Sequence, residues 1–168
     1  MHNFPSLADR CAEFTLSALS VANSKAIEAL QGGGPSVPVQ TLQMVRLQKT
    51  IFAVGMLSVF EAILQNDLNC DDGFVEARRV LDCAGEEDLK SELDRLLLAI
   101  NVLKHGRGRS YEKLVAQSDS LSFRIKLPDD AFLEEGDVSE INTLIEVDDA
   151  FVQLCGNVIS RVAAAVKR

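Results

Sequence analysis

The run Asn101-Val-Leu-Lys-His-Gly-Arg-Gly-Arg-Ser110 concentrates an imidazole, an amide, three cations and a hydroxyl in a short length of chain. On a helix, Asn101 and His105 are four residues apart and share a face. Gly106 and Gly108 expose backbone beside Arg107 and Arg109. Lys104, Arg107, Arg109 and Ser110 together offer the donors that a phosphate or another anion takes up. His105 titrates near neutrality when unperturbed, which suits it to general acid or base work. A purely structural account of the same residues also stands. Cations at a helix C-terminus complement its dipole without any ligand. The glycines then serve only as turn residues, Ser110 only as an N-cap, and His105 as a side chain satisfied within the fold.

The helix that carries Asn101 and His105 is expected over Glu87–His105. Glu86, Glu87 and Asp88 stand at its positive end, Lys104 and His105 at its negative end, and Gly106 follows as a stop. Leu89, Leu93, Leu96, Leu97, Ile100 and Leu103 keep the helical period. Before it, a first helix is expected from Leu7 to Gln31, capped by Ser6 and ended by Gly32, Gly33, Gly34, Pro35 and Pro38. The residues from Gly32 to Val39 then form a flexible loop. A second helix is expected over Thr41–Gln65, with core contacts from Leu42, Val45, Phe52, Phe60, Ile63 and Leu64. Gly55 lies inside it and costs roughly 1 kcal/mol against alanine, which a close approach of two helices would explain. Glu61, in the same apolar helix, is either an edge residue reaching water or a buried acid facing the site. A short helix is expected over Phe74–Ala84, and another from Ser110 to about Gln117.

The period then changes. Leu121, Phe123, Ile125 and Leu127 alternate with Ser122, Arg124 and Lys126, which is strand spacing. Leu144–Val147 is the one later segment able to pair with it, so a small antiparallel ribbon is expected. The last helix should begin after Asp148 or Asp149 and run to Val166, with Val152, Cys155, Ile159 and Val162 facing inward. The fold class read from these patterns is mainly all-α, one domain over residues 1–168, an up-and-down bundle of about four main helices with the ribbon inserted before the last.

The 168 residues suffice for one real core, and a hydrophobic content of 47% excludes disorder throughout. Tryptophan is absent and there is one tyrosine, so little is available for stacking bases. The net charge of −8 is unevenly placed. Nine of the 25 acids lie between Pro128 and Asp149, which holds no Lys or Arg; the remaining 16 face 17 basic residues. The body is thus near neutral, and an anionic partner remains open to it. The acidic stretch is read as a solvated loop, or as one lying across the basic region from Lys104 to Lys126. Cys11, Cys70, Cys83 and Cys155 form no C-x-x-C pair, and two histidines do not make a zinc site. Cys83 and Cys155 are expected in the core. No metal and no cofactor is implied. The start of the chain lacks the apolar stretch of a signal peptide, and the apolar run Ile51–Phe60 is about half of the roughly 20 residues a membrane span needs. A cytoplasmic location without membrane attachment is therefore expected.

Asn101–His105, on a helix that follows one carrying Phe60 and Glu61, resembles the HEPN superfamily of small helical bundles. The stretch from Asn101 to Leu114 is similar to a pattern found in bacterial HEPN-like proteins, and the likeness extends over about Thr41–Leu114. It implies a homodimer paired through the helices that bear the motif. HEPN ribonucleases carry an Arg, usually followed by a polar residue, and a His four to six residues beyond that Arg. His105 and Asn101 match the His and the polar position, but Leu98, Ala99 and Ile100 stand where the Arg belongs, and Arg95 lies too far back. The cation that would stabilise a pentavalent phosphate is missing from its place. The resemblance therefore implies a non-catalytic binding or regulatory module that meets RNA phosphate or an acidic protein partner through Asn101–Ser110. One alternative is a metal-independent, toxin-like ribonuclease using His105 and Asn101, with Arg107 or Arg109 holding phosphate. The other is a helical interaction protein without a ligand.

Overall fold

The computed structural model describes residues 4–32 and 37–167. Among them are six α-helices: α1 (Phe4–Gln31), α2 (Val37–Leu68), α3 (Gly73–Ala84), α4 (Glu87–His105), α5 (Arg109–Val115) and α6 (Asp149–Val166). No strand occurs among the described residues, so the chain is all-α. The bundle is richer than four main helices, with two long ones, α1 and α2, two of middle length, α4 and α6, and two short ones.

Local signals account for most of the boundaries. The Asp72 carboxylate accepts from Val75 N at 2.8 Å and starts α3; the Asp148 carboxylate does the same for Phe151 N at 2.8 Å and starts α6. α4 covers the span that its charges and Gly106 define. α1 and α2 begin earlier than expected. Ser6 and Thr41 lie inside them, and Pro5 and Pro38 sit in their first turns. A proline in a first turn gives up an N–H that has no partner there, so it opens a helix as readily as it ends one. Of the expected loop, Gly32 is a turn, Val37–Val39 are helical, and Gly33, Gly34, Pro35 and Ser36 lie outside the described residues.

α2 and α6 are the central helices, each packed on α1, α3 and α4 and on one another, while α5 packs on α4. Phe60 is fully buried, stacked on Phe4 at 5.9 Å and met edge-on by Phe74 at 6.2 Å. Leu57, Leu64, Leu81, Leu93, Ile159 and Cys155 close the same core. Each large side chain of this kind contributes about 1.5–3 kcal/mol by leaving water. Gly73 is required by packing, because a Cβ there would lie 2.7 Å from Glu61 O and 2.7 Å from Leu64 Cβ. It lets α3 turn back tightly against α2.

The expected ribbon does not form. The two segments meet at one antiparallel bridge, Ile125 to Ile145, with Lys126 N donating to Leu144 O at 2.9 Å and Glu146 N to Arg124 O at 3.0 Å. The alternation instead records an extended segment lying on α6. Phe123 packs edge-on against Phe151 at 5.3 Å, and Arg124 points to solvent. At its end the alternation inverts, with Lys126 buried and Leu127 exposed. Lys126 is drawn inward by its ion pair with Glu140, whose other oxygen accepts from Leu133 N at 2.6 Å.

Candidate functional site

The Asn101–Ser110 segment forms a corner between α4 and α5. Gly106 makes the turn with φ 73°, a conformation that favours glycine, and its N–H donates to Val102 O at 2.8 Å. α5 starts at Arg109 behind Gly108, with no side-chain cap. Ser110 therefore lies within the first turn of α5, half-buried, and is not the N-cap. The corner is anchored from below by Tyr111, which is buried and donates to Lys126 O at 2.7 Å, and by fully buried Leu114. The Arg107 guanidinium lies over the Tyr111 ring at 5.9 Å.

Asn101, Lys104, His105, Arg107 and Arg109 are all exposed. No side-chain hydrogen bond or ion pair engages any of the five among the described residues. His105 as a packed side chain with both nitrogens satisfied does not fit this surface. The cations of the corner differ from those that the fold pairs, although Arg10, Lys25 and Arg95 also hold no carboxylate among the described residues. Arg46, Lys49, Arg78, Lys90, Arg124 and Lys126 each hold a carboxylate. Lys104, Arg107, Arg109 and Lys113 hold none.

The corner residues do not converge in one pocket. Asn101 and Lys104 open on a cleft of about 190 Å³ between α2, α3 and α4, with Ser58, Glu61 and Arg78. Glu61 is half-buried there, so the acid in the apolar helix faces the same cleft as Asn101. His105, Arg107 and Arg109 do not line it. The three positions where the resemblance calls for an Arg turn inward: Ala99 and Ile100 are buried and Leu98 half-buried. A guanidinium could not stand at either buried position without disrupting the core.

The acidic stretch is a folded strap. Asp137 and Glu146 each take one Arg46 nitrogen at 2.8 Å, and Ser139 Oγ accepts from Arg46 Nε at 3.2 Å. Lys49 meets Asp149 at 2.6 Å. Burial alone would raise the Asp137 carboxyl, but hydrogen bonds from Ser139 and the Arg46 charge outweigh it and hold the group below the ordinary range. The strap thus reaches Arg124 and Lys126 but leaves the cations from Lys104 to Lys113 uncovered. Residue patterns missed Arg46 and Lys49 as its partners; the available signal was two cations in an otherwise apolar helix.

Among the thiols, Cys155 is buried, and that burial pushes it up to about 12, keeping it protonated. Cys83 is exposed, contrary to its expected core position, because it lies on the outer side of α3. Among the described residues no group of three or more His, Cys, Asp or Glu is placed to hold a metal. No family model, curated protein or solved structure matches the chain.

Proposed function

We propose that this chain is a non-catalytic helical module of the HEPN-like type that grips the phosphates of RNA at the α4–α5 corner, acting as a homodimer. The observation that carries the reading is the cluster of exposed cations without a carboxylate partner at Lys104, Arg107, Arg109 and Lys113, in a molecule whose strap neutralises Arg46, Lys49, Arg124 and Lys126. Unpaired surface cations on a short, anchored corner attract phosphate without giving up existing ion pairs. Two features support the absence of catalysis. His105 has no hydrogen-bond partner to fix its tautomer, and Asn101 opens on a cleft that His105 does not line.

The test is anisotropy of a labelled single-stranded RNA against salt, for the wild type and for Lys104, Arg107 and Arg109 replaced together by alanine. Each phosphate contact contributes about 0.7 to the log–log salt slope on a single strand, so the triple variant should lose about 2 from that slope. His105→Ala should keep the fold, and the wild type should leave the RNA intact. Equal RNA binding by the triple variant refutes the corner. Binding of an acidic peptide in place of RNA refutes the choice of partner, and His105-dependent cleavage refutes the non-catalytic reading.

A further inference from the structure

The outward side of α2 is unlike a surface facing water. Every exposed residue of this helix before Asp67 is uncharged, including Val37, Met44, Leu47, Ile51 and Val59. These side chains recur at helical spacing over a helix of 32 residues. The charges of that stretch, Arg46, Lys49 and Glu61, are turned to the strap and the cleft. α1 carries a matching stripe. Leu7, Cys11, Phe14, Ala18 and Val21 are exposed at alternating steps of four and three, the spacing of a coiled-coil seam.

The two stripes lie on helices that pack against one another. α1 turns Ala12 and Leu16 toward α6 and sets Phe4 against Phe60 of α2, which leaves Leu7, Phe14 and Val21 on the flank beside the exposed side of α2. Eight of the thirteen exposed large hydrophobics among the described residues fall on this face. Their exposed fractions amount to on the order of 800 Å², about what one partner contributes to a stable protein–protein interface. Gly55 sits in the middle of the α2 stripe, exposed, and a Cβ there would meet nothing within 4 Å. No close approach within the monomer calls for this glycine, although glycine is the poorest helix former after proline.

We propose that two copies of this chain pair through the α1–α2 face, with a helix of the second copy approaching closely at Gly55. The area matches a dimer, the heptad-spaced stripe is of the kind that packs against its own copy, and Gly55 gains a reason only when another backbone comes near. α2 is also long and apolar enough to lie in a lipid bilayer by composition. Yet it packs on α1, α3, α4 and α6 and holds the ion-paired Arg46 and Lys49, so only one side of it is available. The surface differs from the α4–α5 corner, and from the motif-bearing α4 through which the family resemblance would place a dimer.

Analytical ultracentrifugation over the micromolar range tests this. The wild type should sediment at twice its 18.3 kDa chain mass. Ile51→Glu and Phe14→Glu replace side chains that are 57% and 76% exposed in the monomer, so the helical circular dichroism should persist. Each should raise the dissociation constant by more than about tenfold. Gly55→Leu should fold at least as well and also weaken pairing by about tenfold. Val75→Glu, an equally exposed apolar position on α3, should leave the dimer unchanged. A wild type that stays monomeric overturns the proposal, as does a dimer indifferent to Ile51→Glu and Gly55→Leu, or Ile51-dependent binding of monomers to phosphatidylcholine vesicles. The triple corner variant should stay dimeric, so failure of the RNA reading and failure of this one are read separately.

Discussion

Replacing Arg46 with alanine removes the cation around which the acidic strap closes. The guanidinium holds Asp137 and Glu146 at 2.8 Å each and Ser139 at 3.2 Å, linking α2 to residues some ninety to a hundred positions away. Breaking a fully buried pair from one side costs about 3–5 kcal/mol, because the other charge is left without its partner. Two features reduce that figure here. The Asp137 and Glu146 side chains are 20% and 11% exposed, so water reaches both, and Arg124 remains 3.4 Å from Glu146. A loss of about 2 kcal/mol is expected, a fall of roughly 4–8 °C in melting temperature for a chain of this length. Urea unfolding gives the stability, and a glutamate-specific protease acting at Glu134 and Glu135 reports release of the strap before global unfolding. Arg46→Lys should recover only part of the loss, since an ammonium cannot fork between two carboxylates. A change under about 0.5 kcal/mol with unaltered proteolysis would refute the reasoning. The strap would then be held by Ile145 and Val147 in the core, with the ion pairs incidental.

Three further outcomes follow from the same contacts. Gly73→Ala should destabilise by about 1–2 kcal/mol by denaturant unfolding, because the added methyl meets Glu61 O, which is backbone and cannot swing aside. Tyr111→Phe should cost about 1–2 kcal/mol, since Lys126 O loses a donor at a buried site, and it should speed amide exchange in α5 relative to α4. The strap should loosen in acid. The Asp137 carboxyl is lower in the folded chain than its ordinary 3.8, so its contribution is present above that value and is lost as pH falls below it through the folded value; a proteolysis pulse in that acid window should show the strap cut before circular dichroism changes.

Where a charge, a cap and an apolar period agreed, the sequence located an element closely. α4 spans Glu87–His105 as those signals require, α6 begins at Asp149 behind Asp148 as expected, and α3 begins one residue before the expected Phe74. Where one signal had two meanings, reading failed. Pro38 stops a helix and opens one equally well, and only the neighbouring helices decide. The alternation matched which side chains go inward from Leu121 to Ile125 and failed at Lys126 and Leu127, and a ladder needs a partner of equal length. Residues 144–147 offer just one bridged position. The candidate site was legible as a set of residue types. Its isolation from the acidic strap was not, because the pairing of Arg46 with residues beyond 136 is a long-range choice that composition does not contain.

The placement of the strap also bears on how an acidic chain can present a basic corner. With a net charge of −8, the molecule as a whole repels a polyanion. Arg46 and Lys49 lie in α2 and consume three carboxylates of the stretch that carries the excess acidity. Arg124 and Lys126, at the edge of the strap, engage Glu134 and Glu140. The strap is thereby satisfied by cations in its own neighbourhood, and its remaining acids are fixed there by the fold. At physiological ionic strength charges are screened over about 8 Å, so acids farther than that weigh little on an exposed guanidinium at Arg107 or Arg109. A strap set free would bring its excess carboxylates into competition, beside Glu112, for the four open cations from Lys104 to Lys113. On the proposed RNA reading, the Arg46→Ala chain, besides being less stable, should hold RNA more weakly, because its released strap competes for those cations.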